Sequence, residues 1–415
     1  MMRCAVTLAL RYLGTTILRS THKLLGSIAL WAIVIALSRS HVAAAANDSL
    51  AELNERVQSR LERLVEDFDV PGVTAAIVLA DGQKVAFAAG LADREEQLPM
   101  TPNHRMPAGS VGKTFVAATA LALARDGKLS LDDKVEKWLG EETWFNDLPN
   151  GRELTVRHLL MHRGGLADHV NEANFVTQVR DVVAKPGGDP DFAFKPGDLV
   201  GFILKKKPLF AAGQGYRYTD TGYILVGMIL ERAGGASYYQ QLQSRFLKPL
   251  KLTMTVPADR RDLPELACGY LTANNPLGLP EATLLDSKLR FNPANEWTGG
   301  GLVSNPQDLA RWAKLLYEGK ALGQGCLEEM LTTSPQDSEK PTRYGLGVFV
   351  TDNAKLGTSY GHGGFFPGYL TRMAYYPKQR VALAIQFNTD HPKAGALDEL
   401  SELTADVLKT LGTPD

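Results

Sequence analysis

PAGSVGKTFVAATALALA, residues 107–124, admits two readings. In one, Gly112-Lys113-Thr114 closes a nucleotide-binding loop. In the other, Ser110 and Lys113 sit one helical turn apart at the start of a helix. A phosphate loop needs a glycine five residues before Gly112. That position holds Pro107, which also lacks an N–H. The loop should follow a buried strand, yet the preceding LPMTPNHRMPAG is polar and proline-rich. The serine reading has no such conflict. A helix N-terminus offers free N–H donors and favours developing negative charge. Lys113 falls on the same face as Ser110. A hydroxyl is a weak nucleophile and needs a base beside it. An unperturbed lysine, with a pKa of about 10.4, is neutral in only about one molecule in 10³ at pH 7. Either burial or a nearby cation lowers Lys113 enough to take the proton, or Lys113 stays charged and lowers the pKa of another base such as a tyrosine.

The rest of the chain narrows the compartment and partners. Its 415 residues, 44% hydrophobic, are ample for one large core. A net charge of −1 gives no basic excess for nucleic acid. Residues 1–46 form a separate object: Arg3, Arg11, Arg19 and Lys23, the uncharged apolar run 24–37, then a small-residue stretch ending at Ala44-Ala45-Ala46. This order reads as a secretory signal peptide. The apolar run is short for a membrane span, which needs ~20 residues. Membrane contact is therefore expected only if that segment stays uncleaved. Cys4 leaves with it, and Cys268 and Cys326 remain free to pair in an oxidising compartment.

Elements follow from periodicity. Leu50, Leu53, Val57, Leu61, Leu64 and Phe68 mark an amphipathic helix. VTAAIVLADGQKVAFAAG reads as two strands around Asp81-Gly82. The middle is mostly helical, with looser stretches over 184–198 and 256–297 that suit surface loops or a substrate rim. YGLGVFVTD, TSYGHGGFF, YLTRMAYYP and RVALAIQFN read as strands, and a helix follows from about Leu397 to Leu411. One sheet built from both chain ends, with a helical insertion, fits this order better than two independent domains. The expected class is α/β (α+β), an antiparallel sheet of N- and C-terminal strands flanked by helices. The sheet part covers about 47–105 and 340–415, and the helical part about 106–339.

Two further motifs change the odds for Ser110. Tyr218-Thr219-Asp220 precedes a buried helical stretch, and His362-Gly363-Gly364 lies on a strand near the end. With Ser110-x-x-Lys113, in this order and at these separations, they resemble the class C β-lactamase and penicillin-binding serine hydrolase family, which includes D-Ala-D-Ala carboxypeptidases, D-aminopeptidases and esterases. The resemblance covers nearly all of residues 47–415 and implies a β-lactamase/transpeptidase-like fold. It implies Ser110 as acylated nucleophile, Lys113 as its activating partner and Tyr218 as proton shuttle. It also implies an oxyanion hole of the Ser110 and Phe365 N–H groups, with substrate binding at Asp220, His362, Gly363 and Gly364. No cofactor and no metal is implied.

The departures from the family pattern are informative. Asp220 stands where many members carry Asn, and close to Lys113 it would hold the proton on the amine. His362 replaces lysine, and a free imidazole titrates near pH 6.5. Gly363 offers no hydroxyl to a substrate carboxylate. These features weaken the β-lactamase reading. They favour a secreted hydrolase of amide or ester bonds acting on small molecules, cell-wall D-amino-acid peptides or acyl esters. The competing reading is a non-catalytic penicillin-binding sensor or inert scaffold. His158 and His162, four apart on an expected helix, offer a weak metal pair without an intervening base.

Overall fold

Strands from the two ends of the chain meet at the centre of one eight-stranded antiparallel sheet. This computed structural model describes residues 50–410 apart from 184, 186 and 394. The expected signal segment, 1–46, lies outside the described residues. The chain divides into two units, Met1–Arg56 and Val57–Asp415. Of the first, residues 50–56 are described and are helical.

The sheet strands are β1 (Gly72–Val78), β2 (Lys84–Asp93), β3 (Leu98–Pro99), β4 (Thr342–Tyr344), β5 (Phe349–Asn353), β6 (Gly357–Phe366), β7 (Tyr369–Tyr376) and β8 (Val381–Phe387). Their order is β3-β2-β1-β8-β7-β6-β5-β4. β1 and β8, paired from Val73 opposite Phe387 to Val78 opposite Ala382, are buried along their whole length. Such continuous apolar strands require cover on both faces. One face takes the amphipathic helix α4 (Pro306–Tyr317), capped by the Asn305 side chain on Asp308 N–H with proline at its first turn. On the other side, the helix over residues 57–68 donates from Gln58 to Ala88 O of β2. It pairs with α5 (Ala396–Thr410) through Arg60 and Asp406, 2.6 Å apart.

The helical portion centres on α1 (Gly112–Arg125). Its sequence is apolar on every side, and all but its last two residues are buried. A helix without a polar face belongs inside a protein. It packs against α3 (Asp220–Gly234) and stacks Phe115 on Trp312 of α4. α2 (Val156–Leu160) also touches α3. Cys268 and Cys326 are free thiols rather than a bridge. Cys268 is buried with its thiol toward Gly269 O, whereas Cys326 packs with the core around α1.

Candidate active site

Ser110 sits in a tight turn, Gly109–Val111, that feeds directly into α1. Gly109 takes φ +51, and a side chain there would strike the backbone of Phe365. Gly364 is tighter still: its Cβ would lie 1.9 Å from Ala108 O. Two glycines thus let β6 press its backbone against the nucleophile's turn. β5 pairs with β6 only as far as Gly361, so residues 362–366 have β7 on one side and an open edge on the other. An open strand edge beside a hydroxyl is where an extended acyl group can lie.

Lys113 is fully buried beneath the serine. Its Nζ donates to Ser110 Oγ at 2.9 Å and to Gly299 O. Asp220 Oδ1 stands 2.5 Å from the same nitrogen, an ion pair held by proximity without hydrogen-bond alignment. Burial works to strip the proton from Lys113, but the Asp220 carboxylate, aided by the Tyr218 oxygen, outweighs it and raises the amine above its ordinary value. The resting site therefore holds an ammonium. The Tyr218 ring lies under this charge, with Nζ 5.0 Å from its centroid. Burial raises the phenol above its ordinary range; Lys113 pulls it back and Asp220 pushes it up again. The Tyr218 hydroxyl is buried and has no aligned hydrogen-bond partner among the described residues.

His362 departs from expectation. It does not offer an imidazole titrating near pH 6.5. It is buried, its Nδ1 facing Gly363 O at 2.5 Å and its Nε2 facing the Tyr344 hydroxyl at 2.9 Å. Burial first, and Lys113 second, drive its pKa down to about 3. It is neutral at any working pH and carries no charge for a substrate carboxylate. Its neighbour Gly363 faces open space, with nothing nearer to a built Cβ than Thr371 O at 3.9 Å.

His158 and His162 do not form a helical pair. α2 ends at Leu160, and His162 adopts φ +56 just beyond it. Its N–H returns to Leu159 O and that of Arg163 to His158 O, the paired bonds of a Schellman stop. Glycine or asparagine usually takes that left-handed position; another residue there costs on the order of 1–3 kcal/mol. His158 Nδ1 meets Thr155 N–H, whereas His162 Nδ1 meets Thr219 N–H.

A cavity of about 550 Å³ opens beside Ser110, Tyr218 and Asp220. Phe175, Val179, Leu271, Leu277, Phe291 and Phe366 supply apolar walls, and the looser stretch 256–297 contributes one side. Phe365, expected as an oxyanion donor through its N–H, also lines the cavity with an exposed ring. Four carboxyls line it, Asp168, Glu296 and Asp390 joining Asp220, with His169 and His391 beside them, and among the described residues no lysine or arginine lines the cavity. Burial and the nearby Asp220 push the Asp168 carboxyl up to about 7, and the same causes raise Glu296. Asp168 Oδ1 accepts from Asp220 N–H at 3.0 Å, tying the cavity wall to the start of α3.

The Beta-lactamase family model matches residues 57–406. The chain belongs to the Beta-lactamase family. As a member it is similar to penicillin-binding protein 4* of Bacillus subtilis (strain 168), 25% identical over 351 residues that span 81% of this chain and 72% of that one. Among solved structures it resembles a D-stereospecific amidohydrolase from Streptomyces sp., at TM-score 0.70 and 29% identity, covering 83% of this chain and 96% of that one. It also resembles the D-amino acid amidase of Ochrobactrum anthropi SV3 complexed with D-phenylalanine, at TM-score 0.69 and 27% identity, covering 87% and 99%. The family's β-lactamase/transpeptidase-like fold is the one described above, antiparallel sheet with flanking helices. Asp168 and Glu296 had carried no motif in the sequence. Asp168 follows a Gly-Gly turn by three residues, and Glu296 ends a loose stretch; only the fold sets either beside Ser110.

Proposed function

We propose that the chain is a secreted serine hydrolase that cleaves amide or ester bonds through an acyl-enzyme on Ser110. The observation that carries this reading is the contact of Lys113 Nζ with Ser110 Oγ at 2.9 Å, beside an open strand edge and a largely apolar cavity. Because Lys113 holds its proton, the base is the phenolate form of Tyr218, its own proton released to solvent and its charge stabilised by the ammonium; this phenolate takes the Ser110 proton. Ser110 Oγ then attacks the substrate carbonyl, and the N–H groups of Ser110 and Phe365 receive the oxyanion. Tyr218 returns the proton to the leaving amine or alcohol, and water, deprotonated by the same route, releases the acid. Residues 1–46, read as an export signal, support action outside the cytoplasm.

The acidic cavity supports amine-bearing acyl groups with a bulky apolar side chain, such as amino acid amides or esters, over substrates carrying a carboxylate near the scissile bond. Both solved neighbours named above act on, or bind, D-configured molecules, and D-amino acid amides are the first class to test. A D-Ala-D-Ala carboxypeptidase or β-lactamase role is less favoured, since His362 is neutral and Gly363 lacks a hydroxyl.

Labelling with a fluorophosphonate tests the nucleophile. Intact protein gains one adduct, and Ser110→Ala gains none and loses at least 10⁴-fold in turnover. Equal labelling of the two proteins would refute the reading. Stable acylation without turnover would identify the sensor alternative instead.

The substrate preference has its own pH signature. Asp168 becomes anionic as pH rises through about 7, while an α-ammonium is lost above about 8. KM for D-phenylalanine amide is therefore expected to pass through a minimum near pH 7–8. Asp168→Asn keeps an acceptor for Asp220 N–H but removes the charge. It is expected to raise that KM about tenfold while moving KM for an N-acetylated ester less than threefold. Equal shifts for both substrates would remove the charge argument.

A further inference from the structure

His162 lies outside the three motifs, yet it touches both flanks of Tyr218. Its carbonyl accepts from Arg217 N–H at 2.9 Å, and its Nδ1 accepts from Thr219 N–H at 3.2 Å. Between these bonds its ring lies over the Tyr218 ring, centroids 4.0 Å apart and planes tilted by 35°. The same ring borders Tyr344 at 4.6 Å and Tyr223 at 5.1 Å, so it has no room to turn. The side chain is fully buried. Its Nε2 has no partner among the described residues. A histidine that served only as packing would leave no polar atom stranded, and one that served only to stop α2 would be glycine. The left-handed backbone, the buried orphan nitrogen and the double grip coincide at one residue.

We infer that His162 is a positioning residue for Tyr218, a clamp that fixes the backbone on both sides of the tyrosine so that its hydroxyl stays beside Ser110 and Lys113. The accepting role of Nδ1 puts the ring proton on Nε2. Burial, with the nearby Lys113 charge, holds the imidazole neutral, so the acceptor is present across the working range. The inference rests on the acyl-enzyme reading, because the clamp has a catalytic effect only if Tyr218 moves the proton.

Asparagine and glutamine separate the clamp from mere packing. Asn places an acceptor where Nδ1 stands and tolerates the left-handed backbone. Gln reaches toward the Nε2 position and leaves Thr219 N–H without its acceptor. Turnover of a simple acyl ester is measured for the full chain, with thermal melting alongside. His162→Gln is expected to lower kcat at least 30-fold with KM within threefold of the parent. His162→Asn is expected to recover kcat to within about fivefold of the parent. The clamp is overturned if folded His162→Gln keeps kcat within threefold, or if the two variants fall equally. Should His162→Gln fail to fold, His162→Ala, which also leaves Thr219 N–H without its acceptor, takes its place under the same thresholds. Parent and Ser110→Ala run as controls. Equal turnover in those two would reject the acyl-enzyme reading itself, whatever the histidine variants do.

Discussion

Lys113→Met is expected to lower kcat/KM for an acyl ester by about 10²–10⁴-fold, because the Tyr218 phenolate that moves the proton loses the charge that stabilises it. It is also expected to destabilise the fold. The ammonium is wholly buried and faces Ser110 Oγ, Gly299 O and Asp220. Methionine fills the space but leaves Asp220, Asp168 and Glu296 without a counter-charge. Breaking a buried pair by removing one partner costs about 3–5 kcal/mol. The loss has a pH signature with a definite sign. Asp168 and Glu296 already bind protons more tightly folded than unfolded, and losing the Lys113 charge strengthens this, so stability falls as pH rises. Thermal melts should therefore separate variant from parent more at pH 8 than at pH 5. Turnover within tenfold of the parent would show that the ammonium is not needed.

Gly364→Ala is expected to remove most activity without touching a reacting atom. The added methyl would sit 1.9 Å from Ala108 O, a backbone atom that cannot step aside. β6 must instead lift from the Ser110 turn. The N–H groups of Ser110 and Phe365 then no longer converge on one oxygen, and losing one such donor costs 10²–10³-fold in kcat. Overpacking of this kind adds about 1–3 kcal/mol of destabilisation. Gly363→Ala is the control. One residue along the same strand, its methyl meets nothing closer than 3.9 Å, and its thermal stability is expected to match the parent's while that of Gly364→Ala falls. If the two variants behave alike, close contact between strand and turn is not what shapes the site.

These contrasts mark what the sequence made legible. The strands around Asp81-Gly82 and after residue 340 alternate or run apolar, so their existence and their shared sheet followed from pattern. The apolar circumference of α1 announced a central helix. Chemistry that depends on burial was another matter. His362 read as a titrating imidazole because sequence gives a residue's type and not its depth; the Tyr344 hydroxyl that pins its Nε2 comes from another strand. His162 read as one of a helical pair because a period of 3.6 was carried two residues past the true stop. No local signal marks that stop, since the residue taking the left-handed turn is histidine. Asp168 and Glu296 enter the cavity from segments with neither period nor motif.

The pairing of Val73 with Phe387 at the middle of the sheet has a consequence for synthesis. A ribosome delivers β1 long before its inner partner β8. Throughout that interval the nascent protein carries an apolar ribbon with one raw margin, the kind of surface on which neighbouring chains aggregate. Truncation before Val381 would leave that margin permanently bare. Truncated products should accordingly be insoluble rather than merely inactive.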